Sequence, residues 1–204
     1  MKKCITVYLL RHGETKWNVE KRTQGHAKSR LNPTGRKQAK KAALFFKDMC
    51  LHTIYCSPLM RTVQTAKEVM KYHHPSKLIK CPEFAERNFG KIEGWTRKQL
   101  LKRIPDVEKQ WKRDKFDWRP PGNGETIREQ FNRVYKGFCR MIKKHEFGDK
   151  VLIVTHGGPI KCLLQKFRNG RLSKSVFDMR NPHNCEIIEV LWNKKPLRIK
   201  CLLK

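Results

Sequence analysis

The chain has 204 residues, with 47 Lys and Arg against 18 Asp and Glu, which gives a formal net charge of +29. This length fits one domain over residues 1–204, while the singly scattered cysteines and the lack of any ~18-residue apolar run argue against a disulfide framework and a membrane span. So positive a field favours small anionic partners, and the even spread of the basic residues disfavours a nucleic-acid-binding module.

The first predicted element is a strand over residues 4–10, which is short, apolar and rich in β-branched residues, as in a strand buried on both faces of a parallel sheet. It follows Met-Lys-Lys and so resembles a signal peptide, but its apolar run is short and lacks a small-residue cleavage site. We therefore expect a cytoplasmic protein with reduced cysteines. The strand runs into Arg11, His12 and Gly13.

Helices and strands alternate along the rest of the chain. Apolar residues recur at i, i+3, i+4 and i+7 in four stretches, which predicts amphipathic helices around residues 39–46, 63–70, 127–142 and 160–167. Short β-branched runs predict strands at 53–56 and 151–155 and a terminal hairpin at 186–192 and 197–203. This alternation indicates an α/β fold with three layers, in which helices flank a mostly parallel central sheet.

The periodicity weakens over residues 84–124. This segment mixes Trp95, Trp111 and Trp118 with many charges and ends in Pro-Pro-Gly-Asn-Gly. Tryptophans in such a setting are more often packing residues than substrate contacts. We interpret the segment as a small helical or loop lid inserted over the sheet, and not as a separate domain.

Two predicted buried strands end in a histidine followed by a glycine: His12-Gly13 after the first strand and His156-Gly157 near the end of the chain. In open α/β sheets, ligands bind beyond the carboxyl ends of the strands. If the two strands are neighbours, both histidines face one crevice, where the glycines let backbone N–H groups approach an anion. Arg11 supports this interpretation, because a guanidinium suits bidentate binding of phosphate or carboxylate.

A metal site is the competing explanation for paired histidines. His12-Gly13-Glu14 matches the beginning of a deaminase zinc signature, but no Pro-Cys-x-x-Cys partner follows. A His-Glu-x-x-His motif is also lacking. We therefore expect no metal ion and no other cofactor.

The residues around His12 also match a known family. The string RHGETKWN at residues 11–18 resembles the signature of the histidine phosphatase superfamily, the phosphoglycerate mutase-like group, and the chain is most similar in pattern to its compact phosphatase members. Further stretches resemble the family's motifs in the same order, at residues 31–39, 57–66, 84–94, 120–126 and 155–158. The resemblance implies the phosphoglycerate mutase-like α/β fold over most of the chain.

The resemblance also implies a role for each matching residue. His12 is the expected nucleophile, and Glu86 is the expected general acid that later activates water as a base. The other implied roles are phosphoryl-oxygen binding by Arg11, Arg61 and His156, and further substrate contacts by Asn18, Gly25, Arg87 and Gly157. A metal ion is not needed in this scheme, because cationic side chains supply the positive charge that phosphoryl transfer requires.

These features predict a metal-independent phosphomonoester hydrolase that acts through a phosphohistidine on a small phosphorylated metabolite. Mutase-type phosphoryl transfer is the alternative within the family, although the short segment between Glu86 and Glu125 favours hydrolysis. A non-catalytic, basic nucleic-acid-binding protein is the alternative from a different class. The high charge also favours a multiply charged substrate, with Lys28, Arg30 and Arg87 at the entrance. The oligomeric state, monomer or homodimer, stays open.

Overall fold

The computed structural model describes residues 3–73 and 77–203, and within them one mixed sheet forms the centre of the fold. Its strands are β1 (Ile5–Arg11), β2 (Thr53–Cys56), β3 (Lys77–Lys80), β4 (Lys150–Thr155), β5 (Ile187–Asn193) and β6 (Lys195–Leu203). They lie in the order β3-β2-β4-β1-β5-β6. The first four strands in this order are parallel, whereas β5 runs antiparallel to both β1 and β6. The predicted α/β fold with a mostly parallel sheet is confirmed.

Helices connect the strands and cover both faces of the sheet. They are α1 (Lys16–Val19), α2 (Pro33–Phe46), α3 (Met60–Met70), α4 (Arg97–Arg103), α5 (Val107–Asp114), α6 (Ile127–Ile142), α7 (Gly157–Asn169) and α8 (Ser175–Asp178). Local sequence explains where they begin: Asn32 accepts a 2.7 Å hydrogen bond from the Gly35 N–H at the start of α2, and Thr126 and Glu129 form a capping box at α6. Within the described residues, no helix is long and apolar enough to cross a bilayer.

The alternation of side chains along β1 produces two cores. Val7 and Leu9 pack on one face of the sheet with residues of α6 and α7, whereas Tyr8 and Leu10 pack on the other face with residues of α2 and α3. All four side chains are at most 5% exposed. Because burial of one such side chain stabilises a fold by about 1.5–3 kcal/mol, β1 is held firmly from both sides. The residues that follow it therefore extend from a rigid element.

The edge strand β3 is absent from the sequence prediction. Its four residues, Lys77–Lys80, pair in parallel with β2 and are half-buried or exposed. A short strand at a sheet edge buries little apolar surface, so its sequence lacks the continuous hydrophobic run that identifies β1 and β4.

The predicted lid segment contains α4 and α5. The segment has a small apolar cluster of its own, in which Leu100 of α4 and Val107 of α5 pack with Ile92 and Trp118 from outside the two helices. Only Val107 of α5 is fully buried, and the rest of that helix is charged or half-exposed. This composition explains why the sequence suggests a lid without defining its helices.

The start of α2 packs directly against the loop that follows β1. A Cβ atom on Gly35 would lie 2.0 Å from the Glu14 backbone oxygen, and one on Gly13 would lie 2.4 Å from the Gly35 oxygen. Only glycine permits this approach, because the opposing atoms belong to the backbone and cannot rotate away. The contact therefore fixes the loop after β1 relative to α2.

We predict that Gly35→Ala lowers the free energy of unfolding by about 1–3 kcal/mol, the usual cost of forcing extra atoms into a packed site. Urea denaturation measures the change. Thr34→Ala is the matched control, because Thr34 occupies the same helical turn but is exposed. Equal stabilities of the two variants would show that the close approach is not a constraint.

Candidate active site

The candidate site lies beyond the carboxyl ends of β1 and β4, which are neighbouring parallel strands. Arg11 is opposite Thr155 in their register, and a 3.0 Å hydrogen bond from the His12 N–H to the Thr155 oxygen continues the pairing. His12 and His156 therefore leave the strands side by side, with their ring centroids 5.1 Å apart. The fold thus brings together the two histidines that the sequence places at strand ends.

His12 is held as a neutral imidazole with a defined tautomer. Its Nδ1 lies 2.7 Å from the Gly13 carbonyl oxygen, which can only accept, so Nδ1 bears the hydrogen and Nε2 keeps its lone pair. Burial, followed by the positive charges of Arg61 and Arg11, holds the pKa of His12 well below 6.5. The Asn184 amide donates a 2.9 Å hydrogen bond to the His12 carbonyl and fixes the backbone. The ring therefore presents a lone pair to the crevice at neutral pH.

His156 is completely buried beside it. Its Nε2 lies 2.8 Å from the Ser57 hydroxyl, which also accepts a 3.3 Å hydrogen bond from the Leu59 N–H. We assign the Ser57 hydroxyl as the donor to Nε2, which leaves the hydrogen of His156 on Nδ1. Burial and the nearby charge of Arg61 hold the pKa of His156 well below 6.5. His156 is thus a neutral donor through Nδ1.

Arg61 reaches the crevice from the first turn of α3 and is only 1% exposed. Its guanidinium donates to the Gly25 carbonyl at 2.7 Å and to the Ser29 hydroxyl at 3.2 Å. Burial lowers the pKa of Arg61 to about 10, and the Glu86 carboxylate partly offsets this effect. Arg61 therefore keeps its charge at neutral pH and is locked in one orientation.

Arg11, the last residue of β1, is anchored at its outer end. Its Nη1 donates a 2.5 Å hydrogen bond to the Pro182 carbonyl. A Cβ atom placed on Gly157 would lie 3.9 Å from the Arg11 Nε, so this nitrogen faces the beginning of α7. Burial lowers the pKa of Arg11, and Glu86 opposes that shift. A second fixed cation thus lies beside His12.

Four buried side-chain nitrogens among the described residues have no hydrogen-bond partner: Arg11 Nε, Arg61 Nε, His156 Nδ1 and His73 Nε2. The first three belong to the groups around His12. Buried polar groups in folded proteins nearly always have partners, and each one without a partner costs about 1–3 kcal/mol. Three unpaired donors beside two guanidinium charges therefore form a site that is complementary to an anion with several oxygens.

Glu86 is held at the edge of this crevice by three donors. Its Oε1 accepts 2.9 Å hydrogen bonds from the Arg87 N–H and the Gln130 amide, and its Oε2 accepts from the Gly158 N–H at 3.3 Å. Arg133 donates to two carbonyls in the loop just before Glu86 and so supports the loop itself. The carboxylate is thereby fixed close to α7 and to the cations of the crevice.

Asn18 and Gly25 lie in loops that border the crevice. The Asn18 Oδ1 accepts from the Thr15 N–H at 3.1 Å in a capping box of α1, and it lies 3.5 Å from the Asn184 amide nitrogen that also binds His12. Gly25 has a φ of +50°, and a Cβ atom there would lie 2.0 Å from a Glu93 carboxylate oxygen. Gly25 thus allows its carbonyl to hold Arg61. Contacts of Asn18 or Gly25 with a substrate stay predictions.

Arg87 and Gly157 are the other two residues with predicted substrate contacts. The Arg87 guanidinium lies over the Phe89 ring, 4.3 Å from its centroid, and burial lowers the pKa of Arg87. Gly157 is the first residue of α7, so its backbone N–H lies at a positive helix end. Both positions border the crevice, and their roles toward a ligand also stay predictions. Lys28 and Arg30 are exposed on the loop that Arg61 holds.

Three polar residues of the site are not among the site residues predicted from the sequence: Ser57, Gln130 and Asn184. Ser57 had a usable signal, because it directly follows the predicted strand at 53–56 and so lies at the same sheet edge as the histidines. Gln130 is a buried polar residue on the otherwise apolar face of α6, which is a weaker signal. Asn184 lies in a loop, and only the tertiary fold brings it to His12.

Within the described ranges, no group of three or more His, Cys, Asp or Glu side chains is arranged to hold a metal ion. The positive charge of the crevice comes from Arg11 and Arg61. These two arginines are available to neutralise an anion.

Comparison with known proteins identifies relatives that span this site. The profile of the histidine phosphatase superfamily (branch 1) matches residues 7–203. The uncharacterized phosphatase PhoE of Bacillus subtilis (strain 168) is 32% identical over 195 residues, which are 95% of this chain and 94% of that protein. A metal-independent phosphoserine phosphatase of Arabidopsis thaliana is 32% identical over 158 residues, covering 77% of this chain and 66% of its own.

A solved structure provides the corresponding comparison of folds. YhfR of Bacillus stearothermophilus has a TM-score of 0.85 against this chain at 26% sequence identity. The alignment covers 98% of this chain and 96% of that one. The similarity therefore extends over the sheet and the segments that hold the candidate site.

We expect His12 and His156 to remain neutral at about pH 6, where roughly three quarters of an ordinary histidine is protonated. Burial and the adjacent arginines are the cause, as their lowered pKa values indicate. The imidazole C–H resonances, followed by NMR from about pH 8 to about pH 5.5 and assigned with His12→Asn and His156→Asn, measure this property. Because the native rings bind fewer protons than the unfolded chain, the free energy of unfolding falls as the pH drops below about 6.5. A midpoint at or above 6.5 for His12 would contradict the account.

Proposed function

The chain belongs to the histidine phosphatase superfamily and is a phosphatase, and on this premise we propose that it hydrolyses small phosphomonoesters through a phosphohistidine at His12, with no metal ion. One observation supports the proposal above all: three buried nitrogens without hydrogen-bond partners belong to the groups beside the neutral imidazole of His12. Two are arginine Nε–H donors, and the third, Nδ1 of His156, is a donor in the tautomer assigned above. The non-bridging oxygens of a phosphoryl group can accept from these donors while the phosphorus atom faces His12.

In the first step, Nε2 of His12 attacks phosphorus. The N–P bond forms as the P–O bond to the leaving group breaks, and Glu86 gives its proton to the departing oxygen. The hydrogen bond between Nδ1 of His12 and the Gly13 carbonyl keeps the lone pair on Nε2. The same bond stabilises the ring as it becomes positive, because the carbonyl dipole points at the bound hydrogen.

Positive charge at fixed positions supplies most of the catalysis in this scheme. Phosphoryl transfer has a loose, highly charged transition state, so orientation and electrostatic stabilisation dominate. Arg11, Arg61 and His156 contribute donors that need no reorganisation, and loss of one such donor typically costs on the order of 10²- to 10³-fold in rate. The N-terminus of α7 adds its backbone N–H groups and dipole. A metal ion is therefore not required for charge neutralisation.

In the second step, Glu86 takes a proton from water, and the resulting hydroxide attacks the phosphohistidine. The N–P bond breaks, inorganic phosphate leaves, and His12 returns to its neutral form. A cavity of about 240 Å³ beside Glu86 and Gly158 has room for this water. Access of water next to the expected base favours hydrolysis over mutase-type transfer, which requires that the phosphorylated enzyme be protected from water.

We predict that the protein hydrolyses p-nitrophenyl phosphate in the presence of EDTA, and that His12→Ala lowers kcat/KM by more than about 10³-fold. Loss of the nucleophile removes the covalent route, whereas chelation removes nothing that the mechanism uses. Release of p-nitrophenol measures both effects. His52→Ala is the control, because His52 precedes β2 at the opposite end of the sheet.

Other outcomes point to other functions. Activity that EDTA abolishes and a divalent ion restores would overturn the metal-independent mechanism. Interconversion of 2- and 3-phosphoglycerate, without release of inorganic phosphate, would support mutase-type transfer. Inactivity over a broad panel of phosphomonoesters, combined with tight and salt-sensitive polynucleotide binding, would support the basic binding protein.

A further inference from the structure

A second, larger cavity lies between the lid and the body of the protein. We call it the outer cavity; its volume is about 790 Å³. Its walls come from α4, α5 and the residues just after α5, from the first residue of α6, and from Lys174, which precedes α8. The cavity is large enough for most of a medium-sized organic molecule.

The outer cavity adjoins the 240 Å³ cavity that lies beside Glu86. The 240 Å³ cavity beside Glu86, here called the inner cavity, shares Arg87 and Ile127 with the outer cavity. In the proposed mechanism Glu86 protonates the leaving oxygen, so the leaving group lies on the Glu86 side of the phosphorus atom. The outer cavity, on the other side of Arg87 and Ile127, is the nearest large space for a leaving group longer than a few atoms.

The charges around the outer cavity are unbalanced. Its lining contains five cationic side chains, those of Arg87, Arg97, Lys112, Lys115 and Lys174, and one carboxylate. That carboxylate, Glu108, is 2.5 Å from the Arg97 guanidinium, so these two charges neutralise each other. Among the side chains that the structure describes, none forms an ion pair with Lys112, Lys115 or Lys174. The cavity therefore attracts an anionic group near its lysines.

The remaining wall of the outer cavity is apolar and aromatic. Trp111 and Trp118 line it together with Ile127, and the two indole rings meet edge to face with centroids 5.3 Å apart. The Trp118 Nε1 already donates to the Gln110 side chain at 2.9 Å, so its polar edge is satisfied. Trp118 is only 5% exposed, so the apolar surface that a ligand can reach comes mainly from the half-buried Trp111 and Ile127. Such a surface suits a flat aromatic or heterocyclic group.

We propose that the outer cavity binds the leaving part of the substrate, and that this substrate is a phosphomonoester with an aromatic or heterocyclic middle and a second anionic group at its far end. The inference rests on the proposed function, because it uses the position of Glu86 to orient the leaving group. It assigns the second charge to Lys112, Lys115 and Lys174 and not to Lys28 and Arg30.

A matched pair of substrates tests the proposal. 4′-Carboxybiphenyl-4-yl phosphate has a distal anion, and 4′-carbamoylbiphenyl-4-yl phosphate has a neutral group of the same shape in its place. We expect kcat/KM to be about tenfold higher for the carboxylate, mainly through KM, because a charge-assisted contact is made only by that substrate. Added salt should reduce this preference, since the lysines are exposed.

The triple variant Lys112→Gln, Lys115→Gln, Lys174→Gln should bring the ratio of the two kcat/KM values close to one. Both substrates are measured with the same protein preparation, so the ratio of the two kcat/KM values does not depend on the fraction of folded protein. Lys109→Gln is the control, because Lys109 is on α5 but does not line the cavity; it should keep the preference.

The possible results distinguish failure of the proposed subsite from failure of the proposed phosphatase function. Equal turnover of both biphenyl phosphates by the unaltered protein would overturn the proposed subsite while leaving the phosphatase function in place. A preference that survives in the triple variant would also overturn it, because the anion would then be recognised elsewhere. Failure to release phosphate from these compounds and from p-nitrophenyl phosphate alike would contradict the proposed function itself.

Discussion

The rest of the site depends on three buried nitrogens on Arg11, Arg61 and His156 that have no hydrogen-bond partner. Two guanidinium groups and two imidazoles share one poorly solvated crevice, and burial shifts all four toward their neutral forms. The imidazoles are neutral at neutral pH, whereas the guanidiniums remain charged because the intrinsic pKa of arginine is much higher than that of histidine. The crevice thus combines concentrated positive charge and unpaired nitrogens with the lone pair on Nε2 of His12.

The fold maintains this arrangement through contacts between backbone and side chains. The outer ends of the two arginines donate to the carbonyls of Pro182 and Gly25, so the nitrogens that face the crevice cannot turn away. Gly13 and Gly35 bring the loop of His12 against α2 with no space for a side chain. The buried nitrogens without partners lower the free energy of unfolding. Burial of apolar side chains in the two large cores on either side of β1 offsets this loss.

The sequence predicts the parts of the site that depend on local pattern. β1 and β4 are recognisable because strands that are buried on both faces have continuous apolar sequences. The His-Gly pairs are recognisable as well, because they come directly after these strands in the sequence. Local pattern also places Ser57 at the end of a predicted strand, but its contact with His156 depends on the order of the strands. The contact of Asn184 with His12 has no local signal, because Asn184 lies in a distant loop. The helices α4 and α5 of the predicted lid segment are hard to recognise for a different reason: α5 buries little apolar surface, so its charged residues mask the helical periodicity. The basic outer cavity cannot be recognised from the sequence, because α5, Lys174 and Arg87 line one space only in the folded chain.

Identification of the phosphorylated residue tests the central claim most directly. In Glu86→Gln, p-nitrophenyl phosphate can still transfer its phosphoryl group, because p-nitrophenolate leaves without a proton, whereas activation of water is impaired. The phosphorylated enzyme should therefore accumulate and, after an alkaline quench and proteolysis, mass spectrometry should locate the phosphate. We expect a base-stable, acid-labile adduct on His12. Phosphate on Ser57 or on a cysteine, or an adduct that survives acid, would contradict the account.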